Sequence, residues 1–110
     1  MRVQSRIPDI EGLSVVTKDG LPIASALATP VDEDRISAMT AASLALSERV
    51  VAELERGTLD QIMIKGKDGM VIIMEAGEHA VLTGITRSDQ RLGLVLLDMR
   101  RAAEELAALL

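Results

Sequence analysis

The sequence predicts an α+β domain: a five-stranded antiparallel sheet in the order β-β-α-β-β-β-α, with the long central helix on one face and the C-terminal helix on the other. Three observations carry this. Val31 to Gly57 is one long segment of helical periodicity, opened by a capping aspartate and closed by a glycine. The tripeptide Lys-Asp-Gly occurs twice, at Lys18 to Gly20 and at Lys67 to Gly69, each time between short apolar runs. In Met70 to Ala76 both alternating sets are apolar, Met70, Ile72 and Met74 against Val71 and Ile73, which a strand tolerates only when both faces of its sheet are covered.

Taken in order, Met1 to Glu11 is polar and contains Pro8, so any helix there is short and ends before the Ile7-Pro8 step. Leu13 to Lys18 reads as a strand, Asp19-Gly20 as a hairpin turn and Leu21 to Leu27 as the partner strand. Pro22 cannot donate to a ladder from a central position, which puts this second strand at a sheet edge. Ala28 to Val31 then lead into a helix of about six turns. Asp32 is its N-cap, Glu33 and Asp34 set negative charge against the positive end of the dipole, and Arg56 and Gly57 close it. Ile36, Met39, Ser43, Leu46, Val50 and Leu54 form the stripe expected to face the core, with Leu44 and Val51 on its flank.

The other side of that helix carries Ala38, Ala41, Ala42, Ala45 and Ala52 where charges are usual, until Glu48, Arg49, Glu53 and Glu55. Helix propensity explains alanine equally well as a second contact surface does, since small side chains let another helix approach closely.

After Gly57, Leu59 to Gly66 is a strand, Lys67-Asp68-Gly69 a turn, Met70 to Ala76 the next strand, Gly77-Glu78-His79 a third turn and Ala80 to Thr86 the fifth strand. Arg87 to Arg91 is a charged loop. The closing helix places Leu92, Val95, Leu96, Met99, Ala102, Ala103, Leu106 and Leu110 on one stripe and leaves Leu94 and Leu97 off it.

With 110 residues, the chain is expected to be a single domain spanning 1–110 with one core. It has no cysteine, which excludes disulfides, thiolate metal sites and cysteine nucleophiles. MRVQSRIPDI has no apolar signal region and no run approaches a membrane span, so a cytoplasmic protein with no membrane insertion is expected. A net charge of −5 and the absence of Phe, Tyr and Trp argue against nucleic-acid partners, whose bases are usually held by aromatic stacking.

Reactive constellations are missing. His79 is the only histidine, so no histidine triad or multi-histidine metal site fits within one chain, and a turn position accounts for it. Asp32, Glu33 and Asp34 lack calcium-loop spacing and are explained by capping. Lys65-Gly66-Lys67-Asp68-Gly69 lacks the glycine spacing, the hydroxyl residue and the following helix of a phosphate loop. Arg87, Arg91, Arg100 and Arg101 are interleaved with Asp89, Asp98, Glu104 and Glu105, the pattern of a solvated face. No catalytic residues, cofactor or metal are expected, and the protein is read as a non-enzyme. The strand holding Ile62, Met63 and Ile64 has neither proline nor glycine before Gly66; lying at the edge opposite Pro22, its open hydrogen bonds would invite a second copy.

With these elements in place, the chain resembles the roadblock family, the family of dynein roadblock light chains and of bacterial and archaeal partners of Ras-like GTPases. The resemblance runs from Ile7 to Leu106. It rests on Ile10-Glu11-Gly12 before the first strand, Asp19-Gly20-Leu21-Pro22-Ile23-Ala24 across the first hairpin and Leu92-Gly93-Leu94 opening the last helix, in that order and spacing. It implies a roadblock-like (profilin-like) fold. Members usually begin with a helix packed beside the last one; Met1 to Arg6 supply little more than a turn, so that first helix is expected to be short or absent and Leu94 or Leu97 less covered.

The resemblance further implies a non-enzymatic homodimer whose third strands pair and whose central helices lie side by side, binding or regulating a Ras-like GTPase. The expected dimer interface is Ile62, Met63, Ile64, Ala42 and Leu46; the expected partner platform is Ser37, Ala41, Ala45, Glu48 and Ala52. The rival readings are a structural adaptor or scaffold subunit of a dynein-like or other complex, and a small-molecule sensor, which the all-aliphatic strands disfavour for want of convergent polar groups.

Overall fold

The alternation in Met70 to Glu75 sets the architecture of the computed structural model, which describes residues 10–27, 32–87 and 91–110. The strands are β1 (Ile10–Thr17), β2 (Pro22–Leu27), β3 (Gln61–Gly66), β4 (Gly69–Glu75) and β5 (Ala80–Thr86); the helices are α1 (Glu33–Glu53), between β2 and β3, and α2 (Leu92–Leu109), at the end. All pairings are antiparallel, in the order β2-β1-β5-β4-β3. Ile72 and Met74 face α2 in a cluster with Leu13, Val15, Leu82, Val95, Met99 and Leu106. Ile73 faces α1 with Val16, Val81 and Leu44, and Val71 packs against that cluster. The strand apolar on both faces is therefore covered on both faces, as its sequence requires.

Pro22 lies in an edge strand, as expected, and the bulge between Val15 and Val16 falls opposite it. β1 begins at Ile10, three residues before the expected start, and Glu11 on it meets Arg87 at 3.0 Å. Gly12 packs closely against β2: a Cβ there would stand 2.8 Å from the Leu27 Cδ2, which the leucine side chain would have to move to relieve. The expected short N-terminal helix and the link through Ala28 to Val31 lie outside the described residues.

Two expectations about α1 need correction. The first concerns its end. Asp32 caps the start, its Oδ1 accepting from the amides of Asp34 at 3.0 Å and Arg35 at 3.3 Å. The helix stops at Glu53, however, and Glu55 rather than Gly57 takes the closing left-handed conformation, with φ 56°. The Arg56 amide donates to the Val51 carbonyl and the Glu55 amide to that of Ala52, the paired bonds of a Schellman closure. Gly57, with φ 86°, shapes the turn that follows.

The second concerns its orientation. The buried residues are Ile36, Ser37, Thr40 and Leu44, while Met39, Leu46, Val50 and Leu54 of the expected core stripe are all exposed. Small hydroxyl residues can turn toward the sheet because each finds a partner. The Ser37 hydroxyl donates to the Glu33 carbonyl at 2.7 Å, and the Thr40 and Thr83 hydroxyls meet at 3.0 Å. In α2 the expected stripe is buried at Val95, Met99, Ala103 and Leu106, but Leu110 at its end is exposed, as are Leu94 and Leu97 off it.

Candidate interaction surface

Exposed apolar side chains gather on the α1 face of the molecule. Met39, Leu46 and Val50 recur along one flank of α1 and are all exposed, Val50 the least at 46%. Beside them, Ile36, Met39, Thr40 and Ser43 form one wall of a groove of about 350 Å³, whose floor and far wall are Val71, Ile73, Thr83, Ile85 and Ile64. α1 lies over β1 and β2. β3 has no comparable cover on this face, and the groove runs across Ile73 and Val71 of β4 out to Ile64 on β3, an outer strand of the sheet.

On β3 the register decides which side chains point which way. Ile62 pairs with Ile73 and Ile64 with Val71, so both share the α1 face; Gln61, Met63 and Lys65 pair with Met74, Ile72 and Met70 and share the α2 face. Ile64 is 49% and Met63 48% exposed, whereas Ile62 packs against the core. Ala42 and Leu46 are both exposed on α1. The five residues expected at a self-interface thus divide between an edge strand and the exposed side of α1, with Met63 alone turned to the opposite face.

The expected partner platform is split. Ala45, Glu48 and Ala52 are exposed, but Ser37 is fully buried and Ala41 half-buried. Ser37 therefore belongs to the seam between helix and sheet, a correction to its expected outward position. Ala41 has a local reason to be small: Gly20 of the first hairpin turn, with φ 92°, sits so that a Cβ there would lie 3.4 Å from the Ala41 Cβ. Part of the alanine side accordingly serves the approach of the chain's own hairpin.

The charged groups make local ties. Arg100 on α2 donates to Asp60 at 2.9 Å and to Gln61 at 2.8 Å, over a hollow of about 310 Å³ lined also by Leu59, Glu75 and Glu104. Lys18 lies 3.7 Å from Glu75, and Arg49 pairs with Glu53 one turn on. His79 is exposed in the β4–β5 turn beside Glu78. Lys67 and Asp68 form the tight β3–β4 turn, with Gly66 paired to Gly69. Among the described residues no group of three His, Cys, Asp or Glu side chains could hold a metal ion, and no helix is long and apolar enough to cross a membrane.

The model of the Roadblock/LC7 domain family matches residues 2–86. An uncharacterized protein of Methanocaldococcus jannaschii is 43% identical over 100 residues, which cover 91% of this chain and 87% of that protein. Among solved structures, MglB in a tetrameric arrangement superposes with a TM-score of 0.83 at 25% identity, over 90% of this chain and 76% of its own. A Roadblock/LC7 domain from Streptomyces avermitilis superposes with a TM-score of 0.84 over 92% of this chain and 85% of its own; at 15% identity it speaks for the fold.

Proposed function

This chain belongs to the Roadblock/LC7 domain family, and on that premise we propose that it is a non-enzymatic homodimeric module that binds or regulates a Ras-like small GTPase. The observation that carries the assembly is the coincidence of an open strand edge with an open apolar groove. β3 ends the sheet with Met63 and Ile64 exposed, and the groove beside it ends at Ile64. An edge strand this apolar is a pairing site unless covered. Antiparallel β3–β3 pairing joins two sheets into one of ten strands, with a two-fold axis perpendicular to it. Both copies of α1 then share one face and both copies of α2 the other. On the α1 face, Met39, Leu46 and Val50 have apolar surface to meet.

On the same face, Ala45, Glu48 and Ala52 of both copies offer a broader surface than one chain has. Small side chains favour close contact, and Glu48 with Arg49 would set orientation and association rate more than affinity. The resemblance to GTPase partners supplies the identity of the bound protein. Calorimetric titration of the protein with a small Ras-like GTPase encoded beside its own gene tests this. One GTPase per dimer, bound more tightly with a GTP analogue than with GDP, is the expected result. Equal affinity for both nucleotide states would favour the adaptor reading, and no binding in either state would refute the partner. The protein alone should neither bind nor turn over GTP.

A further inference from the structure

The groove beside α1 is apolar except where three hydroxyl side chains enter its lining. Thr40 and Thr83 are 3% and 2% exposed and bond each other through their hydroxyls at 3.0 Å. A hydroxyl pair carries two protons, and the bond between them uses one. The second proton has no acceptor among the described residues. Ser43, one turn on from Thr40 in the same wall, is half-buried, and its hydroxyl likewise bonds no described residue. A buried donor left without an acceptor is costly, so the site is complete only when something supplies one. The other lining residues are Ile36, Met39, Ile64, Val71, Ile73 and Ile85, and none is charged.

We propose that this groove is a small-molecule site whose ligand is an elongated, uncharged aliphatic molecule with one acceptor oxygen, of the ketone or ester class. Its carbonyl receives the spare proton of the Thr40 and Thr83 pair, and its chain lies over Ile73 and Val71 toward Ile64. The dimensions fit. From β5 through β4 to β3 the groove crosses two strand spacings, about 10 Å. A cavity of about 150 Å³ takes a benzene-sized molecule, so the groove's volume of about 350 Å³ takes roughly a dozen non-hydrogen atoms. The same lining rejects other occupants. A carboxylate would lose its hydration with no cation to offset the loss, and a plain alkane would leave the proton unmet. The exposed side chains of a second copy's α1, Met39, Leu46 and Val50, carry no acceptor oxygen either. Because the site lies within one chain, it depends neither on the dimer nor on the GTPase contact proposed above.

The test titrates the full chain with methyl heptyl ketone, read by methyl magnetic resonance, while light scattering reports the mass of the protein separately. One ketone per chain should bind, shifting Ile73, Ile85 and Met39 and leaving Met63 and Met99, on the α2 side of the sheet, in place. Nonanoate, of similar length, should bind about tenfold more weakly or worse. Thr40→Val combined with Thr83→Val removes both hydroxyls at nearly constant volume and should weaken the ketone about fivefold. Thr83→Ser, which keeps a hydroxyl, should stay within about twofold of the parent. No shift at Ile73 and Met39 with millimolar ketone overturns the site. Nonanoate bound as tightly as the ketone, or a double valine variant that binds unchanged, reduces it to apolar partition and overturns it equally. Binding that appears only on dilution to the monomer would show that a second copy fills the groove, and overturns it as well.

Discussion

The hydroxyls of Thr40 on α1 and Thr83 on β5 lie 3.0 Å apart, both buried, and tie the central helix to the middle of the sheet. With Ser37 satisfied by its own helix, this pair lets a polar strip of α1 face inward, which turns Met39, Leu46 and Val50 out to the surface. Thr40→Val leaves the Thr83 hydroxyl buried without that partner and should destabilise the fold by about 1–3 kcal/mol. Replacing both by valine should recover part of the loss. The coupling read from denaturant unfolding of the two single variants and the double variant checks this, and strictly additive losses would argue against a direct bond.

Glu55 holds a left-handed backbone conformation, φ 56°, at the closure of α1. A side chain there strains the backbone where glycine does not, so Glu55→Gly should raise stability by about 0.5–1 kcal/mol, read as a higher unfolding midpoint at unchanged m-value. A lowered midpoint would mean that the carboxylate makes a contact outweighing the strain.

Ala45 is exposed on α1, away from the buried Ser37, Thr40 and Leu44. Ala45→Glu should weaken binding of the cognate GTPase by about 2 kcal/mol or more and leave thermal unfolding of the dimer nearly unchanged. Loss of the dimer instead would show that Ala45 lies in the seam between the two copies. Full retention of binding would move the contact elsewhere.

Much of the fold was legible because single residues answer single physical demands. Asp32 caps, Pro22 marks an edge strand, and the two apolar faces of Met70 to Glu75 require helices on both sides. The rotation of α1 was not legible. Periodicity reports that apolar residues share a face, and it cannot tell whether that face meets the chain's own sheet or remains available to another surface. Here the inward residues include Ser37 and Thr40, whose polarity is neutralised by hydrogen bonds that exist only once the helix is placed. The closure at Glu55 was hidden for a similar reason: glycine is the usual left-handed residue, and Gly57 two positions on drew the boundary to itself. Of the candidate surface, the edge position of Ile62, Met63 and Ile64 was expected through the family resemblance and not from their composition, and the turning of Met63 to the α2 face depends on a register that only strand pairing fixes.

The proposed assembly turns on pairing through β3. Size-exclusion chromatography with light scattering, at micromolar concentration, should give the parent twice the mass of one chain. Ile64 is half exposed on the edge strand and lines the groove beside α1, so a charge there should break the association while sparing the core. Ile64→Glu is predicted to run as a folded monomer with its circular dichroism preserved. A monomeric parent, or an Ile64→Glu variant that remains dimeric, would contradict the account.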